Sequence, residues 1–110
     1  MGCSHEKTKV YKRNPDSVYR AFLKAIPLLD NKIQIESEDS VARQIAARIP
    51  MGMFSPTAIR VMIGSTSDNG ASVYVSSRFI ITSLFDWGRN KKIVDKLIQT
   101  ADTILSVSQG

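Results

Sequence analysis

Few residues in this chain of 110 could do chemistry. There is one cysteine, Cys3, and one histidine, His5, which excludes an internal disulfide and a Cys/His metal cluster. As a nucleophile and base the two would need a fixed geometry, and they stand in a polar leader with nothing to supply it. Ser76 and Ser77 lack a histidine partner, because His5 lies in that leader. The carboxylates Glu36, Glu38 and Asp39 fall in one polar stretch without a base or nucleophile beside them. A glycine-rich phosphate loop is missing. The sequence therefore predicts no catalysis, no cofactor and no metal.

Two other constellations remain. Ser76-Ser77-Arg78 and then Asp86-Trp87-Gly88-Arg89-Asn90-Lys91-Lys92 put cations into the first turns of a helix, where the helix dipole disfavours them. Arg78, Arg89, Asn90, Lys91 and Lys92 are thus candidates for contact with an anion or a partner, the helix N–H groups assisting. The plainer reading, which we prefer here, has Asp86 capping the helix, Trp87 packing beneath the loop, Gly88 allowing a tight approach and the cations solvated. The second constellation is Gly2-Cys3-Ser4 followed by a polar tether, the arrangement of a lipoprotein after removal of its export signal, with Cys3 as the lipidated thiol. An incidental cysteine in an ordinary N-terminus is the alternative; a Met-Gly-Cys acylation start fits less well, since position 6 is Glu6.

The elements that must position these residues follow from periodicity and capping. Residues 1–13 have no apolar period and read as a flexible tail, leaving 14–110 as one domain. Asn14-Pro15-Asp16 opens a helix, with Val18, Phe22 and Ile26 on one face, Tyr19, Leu23 and Leu29 beside them, and Pro27 bending or ending it near Leu28. Lys32 to Ser37 alternates as a strand, Ile33 and Ile35 inward, and residues 37–40 make a polar turn. Val41, Ile45, Ala47 and Ile49 form the inner side of the next strand, where Arg43 predicts a bulge or an edge position. After the connector Pro50-Met51-Gly52-Met53-Phe54-Ser55-Pro56 come two strands with Thr57, Ile59, Val61 and Ile63, then Ala71, Val73, Val75, Ser77 and Phe79, facing inward. Asp68-Asn69-Gly70 joins them as a tight hairpin. A long helix runs from Arg89 to Val107 on the stripe Ile93, Val94, Leu97, Ile98, Ala101, Ile104 and Leu105. The predicted fold is α+β: a two-layer sandwich of helix, four-stranded antiparallel sheet and helix, both helices on one face.

Composition adds limits. Lys and Arg exceed Asp and Glu by 15 to 10, a net charge of +5, which permits weak attraction to polyanions without a strong nucleic-acid signal. No apolar run approaches the roughly 18 residues of a membrane helix.

The closing segment, residues 72–106, resembles the DUF1499 family, in which a Ser-x-Ser-Arg strand leads into Asp-Leu-Gly-x-Asn-Arg-x-Arg-Ile and an amphipathic helix. Ser76, Ser77, Arg78, Asp86, Gly88, Asn90, Lys92 and Ile93 carry the match, with Trp87 in place of Leu. The family's N-terminal Cys-containing segment is absent, and Phe54-Ser55-Pro56 replaces its Phe-x-Asp-Asp. The resemblance implies an envelope or lipid-anchored protein and no established activity.

The leading expectation is a small envelope-associated interaction module, a lipoprotein without catalytic activity, whose partner is a protein or lipid surface and which is monomer or dimer. Its contact surfaces would be the outward sheet face around Arg48, Arg60 and Tyr74, and the loop carrying Met51, Met53 and Phe54. The alternative is a small domain binding a hydrophobic ligand or lipid, with few residues to wall a cavity. Third comes weak nucleic-acid or polyanion binding through the basic sheet face. Without a lipid anchor the protein is expected in the cytoplasm. Intact mass of the membrane fraction checks the lipoprotein expectation: a diacylglyceryl-sized addition on Cys3 supports it, and an unmodified chain found only in the soluble fraction removes it.

Overall fold

A computed structural model describes residues 4–50, 56–80 and 88–107. Its elements, in order, are β1 (Ser4–Tyr11), α1 (Pro15–Ala25) with a 3-10 turn (Ile26–Leu28), β2 (Gln34–Asp39), β3 (Gln44–Ile49), β4 (Thr57–Ser65), β5 (Ala71–Phe79) and α2 (Arg89–Val107). The strands form one antiparallel sheet in the order β1-β5-β4-β3-β2. Inward residues of the strands and the apolar faces of both helices share one core, whose largest fully buried side chains include Phe22, Ile26, Ile45, Ile59 and Leu97.

The α1 start forms as its residue types dictate. The Asn14 side chain accepts from the Asp16 N–H at 2.8 Å, Pro15 fills the first helical position, and Pro27 turns the last residues into 3-10 geometry. In β4 and β5 every residue assigned inward is buried. The α2 bounds agree with the apolar stripe at both ends.

The expected flexible tail over 1–13 is corrected: Ser4–Tyr11 is a fifth strand, paired with β5 from Ser4↔Arg78 to Tyr11↔Ala71. Apolar alternation misses it because its helix-facing positions are charged. In register, Lys7 and Lys9 lie opposite the inward Val75 and Val73, and both reach α2. Lys7 pairs with Asp95 at 3.6 Å and Lys9 with Asp102 at 2.6 Å. The Tyr11 hydroxyl donates to the other Asp102 oxygen at 2.7 Å, and its ring meets Phe22 edge-on at 6.2 Å. The strand is amphipathic in charge rather than in hydrophobicity.

The β2–β3 turn is also corrected. It spans residues 40–43, not 37–40, so Val41 is 89% exposed. Asp39 Oδ1 accepts the N–H groups of Val41 and Ala42, an arrangement that favours a turn just after it. The bulge expected at Arg43 lies instead on β2, between Ile35 and Ser37. Arg43 adopts φ 56°, and its guanidinium pairs with Asp16 at 2.8 Å, tying the turn to the start of α1. In the hairpin only Asn69 has positive φ; Gly70 is needed because a Cβ there would stand 2.5 Å from the Tyr11 carbonyl oxygen.

Burial, then the hydrogen bond and charge of Asp102, push the Tyr11 hydroxyl far above the ordinary tyrosine range. The folded protein thus holds this proton at pH values where the unfolded chain, titrating near 10, has lost it. Stability must fall as pH rises above about 10, by at most about 1.4 kcal/mol per pH unit for this group. Tyr11→Phe is expected to cost about 1 kcal/mol at pH 7 and to flatten that alkaline decline, read from urea midpoints between pH 7 and 11.

Candidate functional site

The helices run in opposite directions, as contacts at both ends show. Arg13, just before α1, donates to the Leu105 carbonyl near the end of α2 at 2.9 Å. Leu29, just after the 3-10 turn, shares a cleft with Lys92 and Lys96 near the start of α2. The helices differ in length, 11 residues against 19, or about 16 Å against about 28 Å at the helical rise. The first turns of α2 therefore overhang the sheet without α1 beside them.

That overhang opens a cleft of about 370 Å³ lined by Leu29, Asp30, Ile49, Arg89, Lys92, Ile93 and Lys96. Leu29, Ile49 and Ile93 give it an apolar wall. Arg89, Lys92, Ile93 and Lys96 come from one face of α2, at the helical spacings of three, four and seven residues. Asp30 is held by its turn, with Oδ1 accepting from the Lys32 N–H at 2.8 Å and its carbonyl from the Ile33 N–H. Three cations thus stand against one carboxylate. Beside the cleft, Thr57, Ser77 and Asn90 are fully buried polar residues, and the Ser77 hydroxyl donates to Asn90 Oδ1 at 2.7 Å.

The five residues proposed for anion or partner contact are dispersed by the fold. Arg89 and Lys92 line the cleft. Lys91 points away and pairs with Asp95 at 2.6 Å; that bond, with the charges of Lys91, Lys7 and His5, holds the Asp95 carboxyl below its usual range. Arg78 lies on the outer sheet face. Asn90 is no surface contact, because its side chain is fully buried. No described residue comes within 4 Å of where a Cβ on Gly88 would stand, and its φ of +73° is what calls for glycine.

Arg60, Met62, Tyr74, Ser76 and Arg78 do come together, in a broad concavity of about 780 Å³ on the outer face. Arg48, on the same side, is paired with Glu36 at 3.9 Å. Cys3, the loop residues Met51, Met53 and Phe54, and the Asp86 cap with Trp87 lie outside the described residues. His5 is not in a leader: it pairs in register with Ser77. No dyad follows, because the Ser77 hydroxyl is buried and given to Asn90. Sequence reasoning missed Lys96, Leu29, Asp30, Ile49 and Ile93 as site residues. The signal for Lys96 was available, four residues after Lys92 and seven after Arg89.

No family model matches the sequence, and no match was found among curated proteins. Solved structures share the arrangement. Ara h 8.0201 superposes with a TM-score of 0.67 at 11% identity, over 96% of this chain and 98% of that one. The protein TTHA0849 from Thermus thermophilus gives 0.59 at 14%, over 96% and 99%. The Zhui aromatase/cyclase from Streptomyces sp. R1128 gives 0.55 at 10%, over 91% and 86%. The likeness is one of fold, a helix gripped by a curved antiparallel sheet.

Asn90→Ala is expected to destabilise the protein by about 2 kcal/mol, since it strands the buried Ser77 hydroxyl. Lys91→Ala, on the solvated face, is expected to stay within about 0.5 kcal/mol. Denaturant midpoints of the two variants check the assignment of Asn90 to the core.

Proposed function

We propose that the protein is a small ligand-binding domain and that the cleft between the start of α2, the residues after the 3-10 turn and the end of β3 receives a small apolar ligand. One observation carries the reading: a cavity of about 370 Å³, within the range of small-molecule sites, with apolar Leu29, Ile49 and Ile93 backed by charged groups at its rim. The shared helix-grip arrangement agrees with it, since one structure of that fold is an aromatase/cyclase. Of the three functions the sequence allowed, this is the second. Binding rather than catalysis is favoured because, among the described residues, the cleft has one carboxylate, Asp30, and no histidine, second carboxylate or nucleophilic hydroxyl or thiol beside it.

The interaction-module reading belongs to the other face of the sheet, around Arg60, Met62, Tyr74 and Arg78, and one experiment separates the two. Titration of the ¹⁵N-labelled chain with octanol, a neutral probe, should shift the amides of Leu29, Asp30, Ile49 and residues 89–96 saturably. Leu29→Trp, which fills the cleft from its half-buried edge, should abolish those shifts while the protein remains folded by its amide dispersion. Shifts confined to Arg60, Tyr74 and Arg78 would move the site to the outer face and overturn the assignment.

A further inference from the structure

Resting on the cleft as the binding site, we infer that its ligand is a small amphipathic acid, its apolar body against Leu29, Ile49 and Ile93 and its oxyanion against Lys92 and Lys96. Charge pairing within α2 leads there. The helix has two carboxylates, Asp95 and Asp102, and both turn toward β1, where Lys7, Lys9 and the helix's own Lys91 engage them. No acid of α2 remains on the cleft side. Lys92 and Lys96 have no ion-pair partner among the described residues, although they stand one turn apart on the same face.

This placement works against the helix that carries it. Like charges four residues apart repel, and cations in the opening turns oppose the helix dipole. The third cation, Arg89, adds to the same potential, and Asp30, the one acid in the cleft, has an oxygen committed to the Lys32 N–H. An oxyanion between Lys92 and Lys96 relieves the repulsion, and the apolar wall beside them holds the rest of the molecule. A cleft of about 370 Å³ suits one short alkyl chain or one ring system and is too small for a two-chain lipid.

The test compares octanoate with octanol, equal in length and different in charge, on the full chain at pH 7. Octanoate is expected to bind at least tenfold more tightly, with both probes shifting the amides of Leu29, Ile49 and Ile93. The double variant Lys92→Gln/Lys96→Gln is expected to remove the preference for octanoate over octanol and to melt no lower than the parent. Equal affinity of the two probes in the parent overturns the anionic assignment while the cleft reading stands. Failure of both probes to bind, or shifts confined to the outer sheet face, overturns both. A double variant that melts several degrees lower identifies the lysines as structural and sinks the inference. So does lysine-dependent sedimentation with phosphatidylglycerol vesicles that octanoate fails to displace, which would assign the cations to a membrane surface.

Discussion

Burial of the α2 stripe against the sheet is the interaction on which the rest of the structure depends. Ile93, Val94, Leu97, Ile98, Ala101 and Leu105 share one core with the inner faces of the strands and the Val18–Phe22–Ile26 side of α1, and α2 itself packs on β1, β5 and α1. Each such side chain contributes roughly 1.5–3 kcal/mol when withdrawn from water. It ties together distant parts of the chain: α2 touches β1 at the first strand, β5 at the last one and α1 between them. Once it is seated, its remaining faces have fixed destinations.

Those faces are unlike. One carries Asp95 and Asp102, two helical turns apart, and meets Lys7, Lys9 and Tyr11 of β1, so the first strand is held by ion pairs and a tyrosine hydroxyl as well as by its ladder to β5. Partly exposed pairs are individually weak. Their effect here is positional, since Lys7 and Lys9 can satisfy Asp95 and Asp102 together in only one register. The other face carries Arg89, Lys92 and Lys96 and borders the cleft, beyond the point where Pro27 turns α1 into a short 3-10 end. The cleft is thus a consequence of unequal helix lengths under a shared sheet.

Much of this was legible in the sequence, and the exceptions have physical causes. Alternation gave β4 and β5 residue by residue, and the Asn14-Pro15-Asp16 cap and the α2 stripe gave both helices. Strand β1 was illegible because hydrophobic period is the signal for a strand's inner face, and this face is joined by charge pairing to a helix some ninety residues away while its lysines stay partly exposed. The β2–β3 turn slipped by three residues because the polar run 36–40 reads as a turn, whereas Asp39 caps the backbone after it. The cleft was half legible. Arg89 and Lys92 stood out by charge at a helix start, but Leu29 and Ile49 looked like core, and only the third dimension puts the end of α1 beside the end of β3. Asn90, which looked like a surface group among cations, turns inward to Ser77.

The size of the domain bears on what such a cleft can hold. Between the helices and the sheet, Phe22, Ile26, Val94 and Leu97 fill the layer where a larger protein of this fold could leave an interior cavity. Among the described residues the proposed cleft is therefore peripheral, and a ligand there would stay partly in water. Each methylene it buries contributes about 0.8 kcal/mol, so a chain of a few carbons half-covered by Leu29, Ile49 and Ile93 gains only a few kcal/mol, the millimolar range of affinity. Affinity beyond that must come from groups with a longer reach than apolar contact. Among the residues lining the cleft those groups are its charges, and three of the four are positive. Under the proposed reading, electrostatic selection at the rim would take over the part that burial plays in a deep pocket.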